Sequence, residues 1–138
     1  MTHTDYINKE RHAAHALEIL GRKRDGFVKF ACGKLAEGLS SGEARESLVR
    51  KVRSEMEDAL FSHLKRTGAV RGSYKYQYCY GFCRPVRREP RKSEVPSDLL
   101  DIRVILPDFN ERLDAMMVEA GKLRMVSAIE AINKEANA

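Results

Sequence analysis

The sequence predicts an α+β protein with three N-terminal helices, one antiparallel β-hairpin and a long C-terminal helix. Apolar residues recur with a helical period at both ends of the chain, whereas the period changes to two over residues 73–83. A length of 138 residues is close to the commonest domain size. We therefore predict a single domain over residues 1–138, with a helical part at 1–68, a basic hairpin and exposed loop at 69–107, and a C-terminal helix at 108–136.

Glycines divide the first helical part of the sequence. We expect the first helix to begin near Thr4 or Asp5 and to end at Gly21, and the second to run from Asp25 to about Gly38. Glycine is the residue that most often follows the end of a helix, which is why each of these glycines predicts a boundary.

The third helix has the clearest signals. Ser40 and Glu43 form a capping box, and Gly68 marks the end. Between them, apolar residues recur every four positions, at Leu48, Val52, Met56, Leu60 and Leu64.

The predicted hairpin pairs residues 72–83 with residues 100–106. The first strand carries aromatic residues at every second position, which an extended strand would place on one face: Tyr74, Tyr76, Tyr78, Tyr80 and Phe82. In the second, Ile102, Val104 and Leu106 also alternate. Residues 84–98 would then form a long, exposed, arginine-rich connection.

Asp108 and Glu111 predict a capping box at the start of the last helix, which we expect to run from Phe109 to Lys134. We expect this helix to pack alongside the third helix. The sequence also leaves open a homodimer through these long helices.

Positive charge is concentrated in one segment of the chain. Residues 65–92 contain nine of the 25 basic residues and one acid, Glu89, so their net charge is +8. Residues 1–64 carry +1 and residues 93–138 carry −4. Arginine predominates, and its planar guanidinium suits bidentate contacts with phosphate or carboxylate groups.

These patterns favour a small, non-enzymatic protein that binds nucleic acid, with basic side chains on phosphates and one or two tyrosines stacked on bases. The candidate binding residues are Arg66, Arg71, Tyr74, Lys75, Tyr76, Arg84, Arg87, Arg88, Arg91 and Lys92. The structural alternative is that the aromatic residues form the buried face of the sheet.

Two other functional interpretations use the same segment. It could dock on an acidic protein surface, as a regulatory adaptor or inhibitor of an enzyme that handles nucleic acid, because Arg and Tyr are frequent in interface hot spots. It could also bind the acidic C-terminal region of a second copy.

Enzymatic and cofactor functions have little support in the sequence. It contains no Gly-rich phosphate loop, nucleophile elbow or paired metal-ligand motif, so we predict no catalytic residues, cofactor or metal. Cys79 and Cys83 are a single widely spaced pair, and His12 and His15 are expected at the surface. No apolar run approaches the roughly 20 residues that span a bilayer, and the first residues lack a signal sequence, so we expect a cytoplasmic protein.

Overall fold

Two long antiparallel helices form the centre of the molecule, and a third long helix packs mainly against the first of them. The computed structural model describes residues 2–4 and 7–137, with only the backbone described for residues 2–4 and Cys79. The elements are β1 (Thr2–Thr4), α1 (Lys9–Ala36), α2 (Ser41–Arg66), β2 (Val70–Gly72), β3 (Tyr74–Cys79), β4 (Phe82–Arg87), α3 (Ile102–Ile105) and α4 (Phe109–Ala136), with single 3-10 turns at Lys92–Glu94 and Ser97–Leu99. The α+β class is confirmed. No helix within the described ranges has both the length and the hydropathy to span a membrane.

The prediction of three N-terminal helices was wrong, because α1 continues through Gly21 and Gly26. An interior glycine costs a helix only about 1 kcal/mol, and both glycines lie on the solvent side. The opposite side keeps the helical period and is buried, at Ala16, Ile19, Leu20, Phe27, Val28 and Ala31. Burial of this stripe outweighs the local cost of the glycines. Asn8 caps the helix by accepting from the Arg11 amide, so the predicted start near Thr4 was also wrong, and Asp5 lies outside the described residues.

The sequence signals for α2 are confirmed. Ser40 Oγ accepts a hydrogen bond from the Glu43 amide at 3.2 Å, and the helix ends at Arg66, just before Gly68 with φ of +77°. The predicted stripe is buried along its whole length and faces α1.

The predicted pairing of residues 72–83 with 100–106 was wrong. The strand β3 pairs with β4 immediately after it, in a register that joins Tyr74 to Arg87 and Cys79 to Phe82. A two-residue turn brings these strands together at a much smaller loss of chain entropy than a long loop. Residues 102–105 instead form the single helical turn α3, capped by Asp101, which accepts from the Arg103 amide.

The long helix α4 begins and ends close to the predicted positions but differs in two respects. Asp108 makes no capping hydrogen bond and instead pairs with Arg112 at 2.9 Å. The helix packs mainly against α1 rather than α2. Its buried residues are Phe109, Leu113, Met116 and Ala120, so the second half leaves the core.

The two chain segments at the base of the β3–β4 hairpin pass each other in a close backbone contact. Gly72 ends β2, which pairs antiparallel with β1, a strand that the sequence did not predict. A Cβ atom at position 72 would lie only 1.5 Å from the carbonyl oxygen of Arg88. Only glycine therefore lets the chain that leaves the hairpin pass the chain that enters it.

Gly72→Ala should destabilise the protein by at least about 2 kcal/mol, because the clash involves backbone atoms that cannot rotate away. The free energy of unfolding in urea measures the effect. Gly33→Ala is the matched control. Its Cβ would meet no atom within 4 Å, so it should raise stability by up to about 1 kcal/mol. Equal effects of the two substitutions would contradict the proposed close approach.

Candidate nucleic-acid interface

The hairpin of β3 and β4 exposes its aromatic residues to solvent. The exposed fractions are 63% for Tyr74, 78% for Tyr76, 72% for Tyr78, 95% for Tyr80 and 58% for Phe82. The alternative in which these rings form a buried face was therefore wrong. The hydrophobic core of the protein lies elsewhere, so these exposed aromatic residues do not contribute to its packing. Exposed apolar patches of this kind commonly mark interaction sites.

The expectation that all five rings share one face was also wrong. Directly opposed residues of an antiparallel pair lie on the same face. Tyr74, Tyr76 and Tyr78 oppose Arg87, Pro85 and Cys83, and together these residues make up what we call the tyrosine face. The turn at Tyr80 and Gly81 shifts the alternation, so Phe82 lies on the opposite face.

Arg87 lies on the tyrosine face and contacts Tyr74. The Arg87 guanidinium carbon lies 4.5 Å from the centroid of the Tyr74 ring, and its Nη2 donates to the Tyr74 hydroxyl at 2.8 Å. Its Nη1 donates to the Gly72 carbonyl at 3.2 Å. These contacts hold Arg87 and Tyr74 in fixed positions at the base of the hairpin, with the outer tyrosines beyond them.

The opposite face is basic. Lys75 opposes Val86, and Gln77 opposes Arg84, which places both cations on this face with Phe82. Lys75 and Arg84 are exposed, and among the described residues neither forms an ion pair with a carboxylate. The hairpin therefore carries aromatic rings on one face and uncompensated positive charge on the other.

The tip of the hairpin is conformationally strained. Tyr80 has φ of +50° and Gly81 has φ of +86°, which corresponds to a two-residue turn with both residues left-handed. Asparagine or glycine is strongly preferred at the first position, and a bulky residue there costs about 1–2 kcal/mol. A tyrosine that is 95% exposed gains no burial to offset this cost.

A basic cleft lies where the hairpin joins the helices. It has a volume of about 500 Å³ and is lined by five cations, from α2, β2 and the end of β4: Lys65, Arg66, Arg71, Arg87 and Arg88. One acid, Glu89, also lines it. The cleft brings together four of the predicted arginines, Arg66, Arg71, Arg87 and Arg88, from two separate parts of the sequence, and it adds Lys65.

Arg88 and Lys92 hold the loop after β4 in place, Arg88 by a pair within the loop and Lys92 by a pair with α2. Arg88 Nη1 and Nη2 donate to the two carboxylate oxygens of Glu94 at 2.9 and 2.7 Å, and these hydrogen bonds raise the pKa of the guanidinium. Lys92 pairs with Asp58 and lies 3.7 Å from Glu57, both on α2, and the hydrogen bond to Asp58 raises its pKa. Arg91, between them, is exposed. Arg88 and Lys92 thus have structural roles.

Tyr78, Tyr80 and Phe82 were missing from the predicted set of binding residues although they are as exposed as Tyr74 and Tyr76. The two-residue alternation of the aromatics was the signal for all five. It could not show that the rings are exposed, because the same alternation is typical of a half-buried strand.

Most acids after residue 92 already have partners within the chain. The ion pairs are Arg88–Glu94, Lys9–Asp98, Arg103–Asp101, Arg112–Asp108, Arg45–Asp114 and Arg24–Glu119. Six of the nine acids are thus neutralised locally. This weakens the interpretation in which the basic segment binds the C-terminal region of a second copy.

Three histidines lie together near the N-terminus of α1. His12, expected at the surface, is buried, and its Nε2 donates to the Leu99 carbonyl at 2.8 Å. The rings of His15 and His63 are 4.7 Å apart. Partial burial, followed by the charges of His15 and Arg66, lowers the pKa of His63. No group of three or more metal-ligating side chains occurs in the described part of the chain, and Cys79 and Cys83 pair with different residues, Phe82 and Tyr78.

Comparison of this chain with protein-family models, with curated proteins and with solved structures gave no match.

Arg88→Glu should lower the melting temperature, because it replaces a bidentate ion pair with two adjacent carboxylates. The double substitution Arg88→Glu with Glu94→Arg should recover most of the loss by restoring a pair of opposite charges. Thermal unfolding followed by circular dichroism measures both.

Arg84→Glu makes the same charge change at an exposed position without an acidic partner and should leave the melting temperature nearly unchanged. A drop as large as that of Arg88→Glu would show that net charge, rather than the pair with Glu94, determines the effect.

Proposed function

We propose that this protein binds single-stranded nucleic acid through the β3–β4 hairpin and the basic cleft at its base. The observation that carries the proposal is the exposure of Tyr74, Tyr76 and Tyr78 on one face of a hairpin that carries positive charge on the other. Aromatic rings that bases can stack on, next to cations that contact phosphates, are the two components of most single-strand binding surfaces.

The spacing of the tyrosines supports a single strand over a duplex. Alternate residues of a strand are about 6.7 Å apart, which is close to twice the 3.4 Å that separates stacked bases. One base can therefore insert between each two neighbouring rings. Bases inside a duplex are already stacked at 3.4 Å and offer no free faces to these rings, except at an end.

The cleft would bind the phosphate backbone. Lys65, Arg66 and Arg71 line this cleft at the base of the hairpin. Arg87 lies between the cleft and Tyr74, so a strand stacked on the tyrosines can continue into a region of positive potential.

The strain at Tyr80 also favours a binding role. Asparagine at this position would be more stable, and an exposed tyrosine contributes nothing to the core. Retention of an aromatic residue at a strained tip is explained if the ring contacts a ligand.

Tyr76→Ala should weaken binding of a labelled single-stranded oligonucleotide by about 5- to 150-fold, which corresponds to the loss of one base–aromatic stack of about 1–3 kcal/mol. Fluorescence anisotropy measures the affinity. Tyr76→Phe is the matched control, because it keeps the ring and removes only the hydroxyl, and it should bind nearly as the native protein does.

Intrinsic fluorescence gives a second measurement on the native chain. The protein has no tryptophan, and four of its five tyrosines lie in the hairpin, so stacking should quench most of its emission. Binding without quenching, or equal affinities for Tyr76→Ala and Tyr76→Phe, would contradict a stacking role.

Lys75→Gln with Arg84→Gln should reduce the salt dependence of binding, because each lost phosphate contact lowers the slope of log K against log salt by about 0.7 for a single strand. Titrations between about 50 and 200 mM salt should therefore show a slope smaller by about 1.4. The matched control is Arg22→Gln with Lys29→Gln, which removes two exposed cations from α1 and should leave the slope unchanged.

Flat titrations at every salt concentration, for single and double strands alike, would overturn the proposal. The hairpin would then fit the other interpretation left open by the sequence, an adaptor or inhibitor that docks on an acidic protein surface. Tyrosine and arginine supply the energetic centre of many such interfaces.

A further inference from the structure

The second half of α4 extends from the helical body with an uncovered apolar stripe. No residue after Ala120 is buried among those described, and the helix continues to Ala136. The exposed apolar residues include Val118 at 60%, Met125 at 65%, Ile129 at 54% and Ile132 at 65%. At 3.6 residues per turn these four side chains fall within a sector of about 60°. Val126, 51% exposed, borders them.

We propose that this stripe binds the same stripe of a second copy, so that the protein forms an antiparallel homodimer through the projecting half of α4. An apolar surface of this extent on a helix without a neighbour usually marks an interface. The proposal is independent of nucleic-acid binding.

The charge of the projecting half indicates the partner. Residues 118–136 contain three basic residues, Lys122, Arg124 and Lys134, and three acidic residues, Glu119, Glu130 and Glu135. Because the positive and negative charges are equal in number, this half of the helix does not repel a second copy of itself or an uncharged partner. A helix that lies on an anionic membrane instead has a predominantly basic polar face. The hairpin, in contrast, carries most of the excess positive charge and cannot pair with itself.

The position of Lys122 determines the orientation. It lies at the edge of the apolar stripe, between Ile129 and Val126 on the helical wheel. In a parallel pair the two Lys122 ammonium groups would lie at the same level of the seam. In an antiparallel pair with its two-fold axis near residue 127, Lys122 lies beside Glu130 of the second copy, because both project to the same flank of the stripe.

The length of the projecting half fits the antiparallel arrangement. A two-fold axis at residue 127 aligns residue 136 of one copy with residue 118 of the other, close to Ala120, the last buried residue of α4 among those described. Met125 then meets Ile129, and Ile132 lies against the stem of Lys122. The overlap spans about 27 Å at 1.5 Å per residue, and the two helical bodies remain at opposite ends.

The contact is small, so the dimer should be weak. A 27 Å overlap of helices about 10 Å wide has a footprint of about 300 Å² per copy, below the roughly 800 Å² per partner of a stable specific interface, so the dimer is a transient one. We expect a dissociation constant in the micromolar range.

Sedimentation equilibrium between about 1 and 200 µM tests the proposal over the range that suits a small interface. The average mass should rise from the 15.7 kDa of one chain towards twice that value. Ile129→Glu should raise the dissociation constant at least tenfold. Ser127→Glu is the matched control, because it adds the same charge on the opposite side of the helix and should leave the mass curve unchanged.

A charge exchange tests the orientation. Lys122→Glu should weaken the dimer by placing two acids side by side, and Lys122→Glu with Glu130→Lys should restore it. A constant mass of 15.7 kDa over the whole range, or equal curves for the Ile129→Glu and Ser127→Glu variants, would overturn the dimer. A dimer that the charge exchange fails to restore would overturn the antiparallel arrangement.

Discussion

The packing of α1 against α2 is the interaction on which the rest of the structure depends. The fully buried side chains Leu48, Val52, Met56 and Leu60 lie on one stripe of α2, and α1 covers them along its length. The helix α4 and the turn α3 pack on this pair of helices, and Ile102 of α3 is completely buried. Because two 26- and 28-residue helices bury most of their apolar stripe on each other, the remaining chain is free to form surface features with little core of their own.

The hairpin is the clearest of these features. A two-stranded hairpin by itself is marginally stable in water, so its orientation must come from its attachment. The packing of β2 on α2, the pairing of β2 with β1 and the pair of Lys92 with Asp58 supply that attachment, and the close passage of Gly72 past Arg88 holds the two arms of the hairpin together. Most of the described side chains of β3, β4 and their turn are exposed, including a tyrosine in an unfavourable backbone conformation. A rigid base with an exposed, strained tip is the arrangement expected of a surface that presents side chains to a ligand.

The two candidate interaction surfaces differ in chemistry. The hairpin and the cleft are strongly basic and aromatic, whereas the projecting half of α4 is apolar with balanced charge. They lie on different elements and can act at the same time. If both bind as proposed, a dimer presents two hairpins to one nucleic-acid strand, and the second contact becomes intramolecular. Two weak contacts then give a much higher overall affinity when the strand is long enough to reach both.

The sequence by itself determined the features that depend on near neighbours. The capping box of Ser40 and Glu43, the four-residue stripe of α2, the extended character of residues 74–79 and the local concentration of positive charge are all present as predicted. Each follows from residues a few positions apart, whose geometry is set by the period of a helix or a strand. The tertiary structure alone decided the competition between alternatives. In the folded protein α1 continues past Gly21 and Gly26 because one side of the helix is buried. The strand β3 pairs with β4 rather than with residues 100–106, and the tyrosines of the hairpin face solvent. These outcomes depend on which parts of the chain, distant in sequence, pack against each helix or strand. A pattern of neighbouring residues does not contain that information.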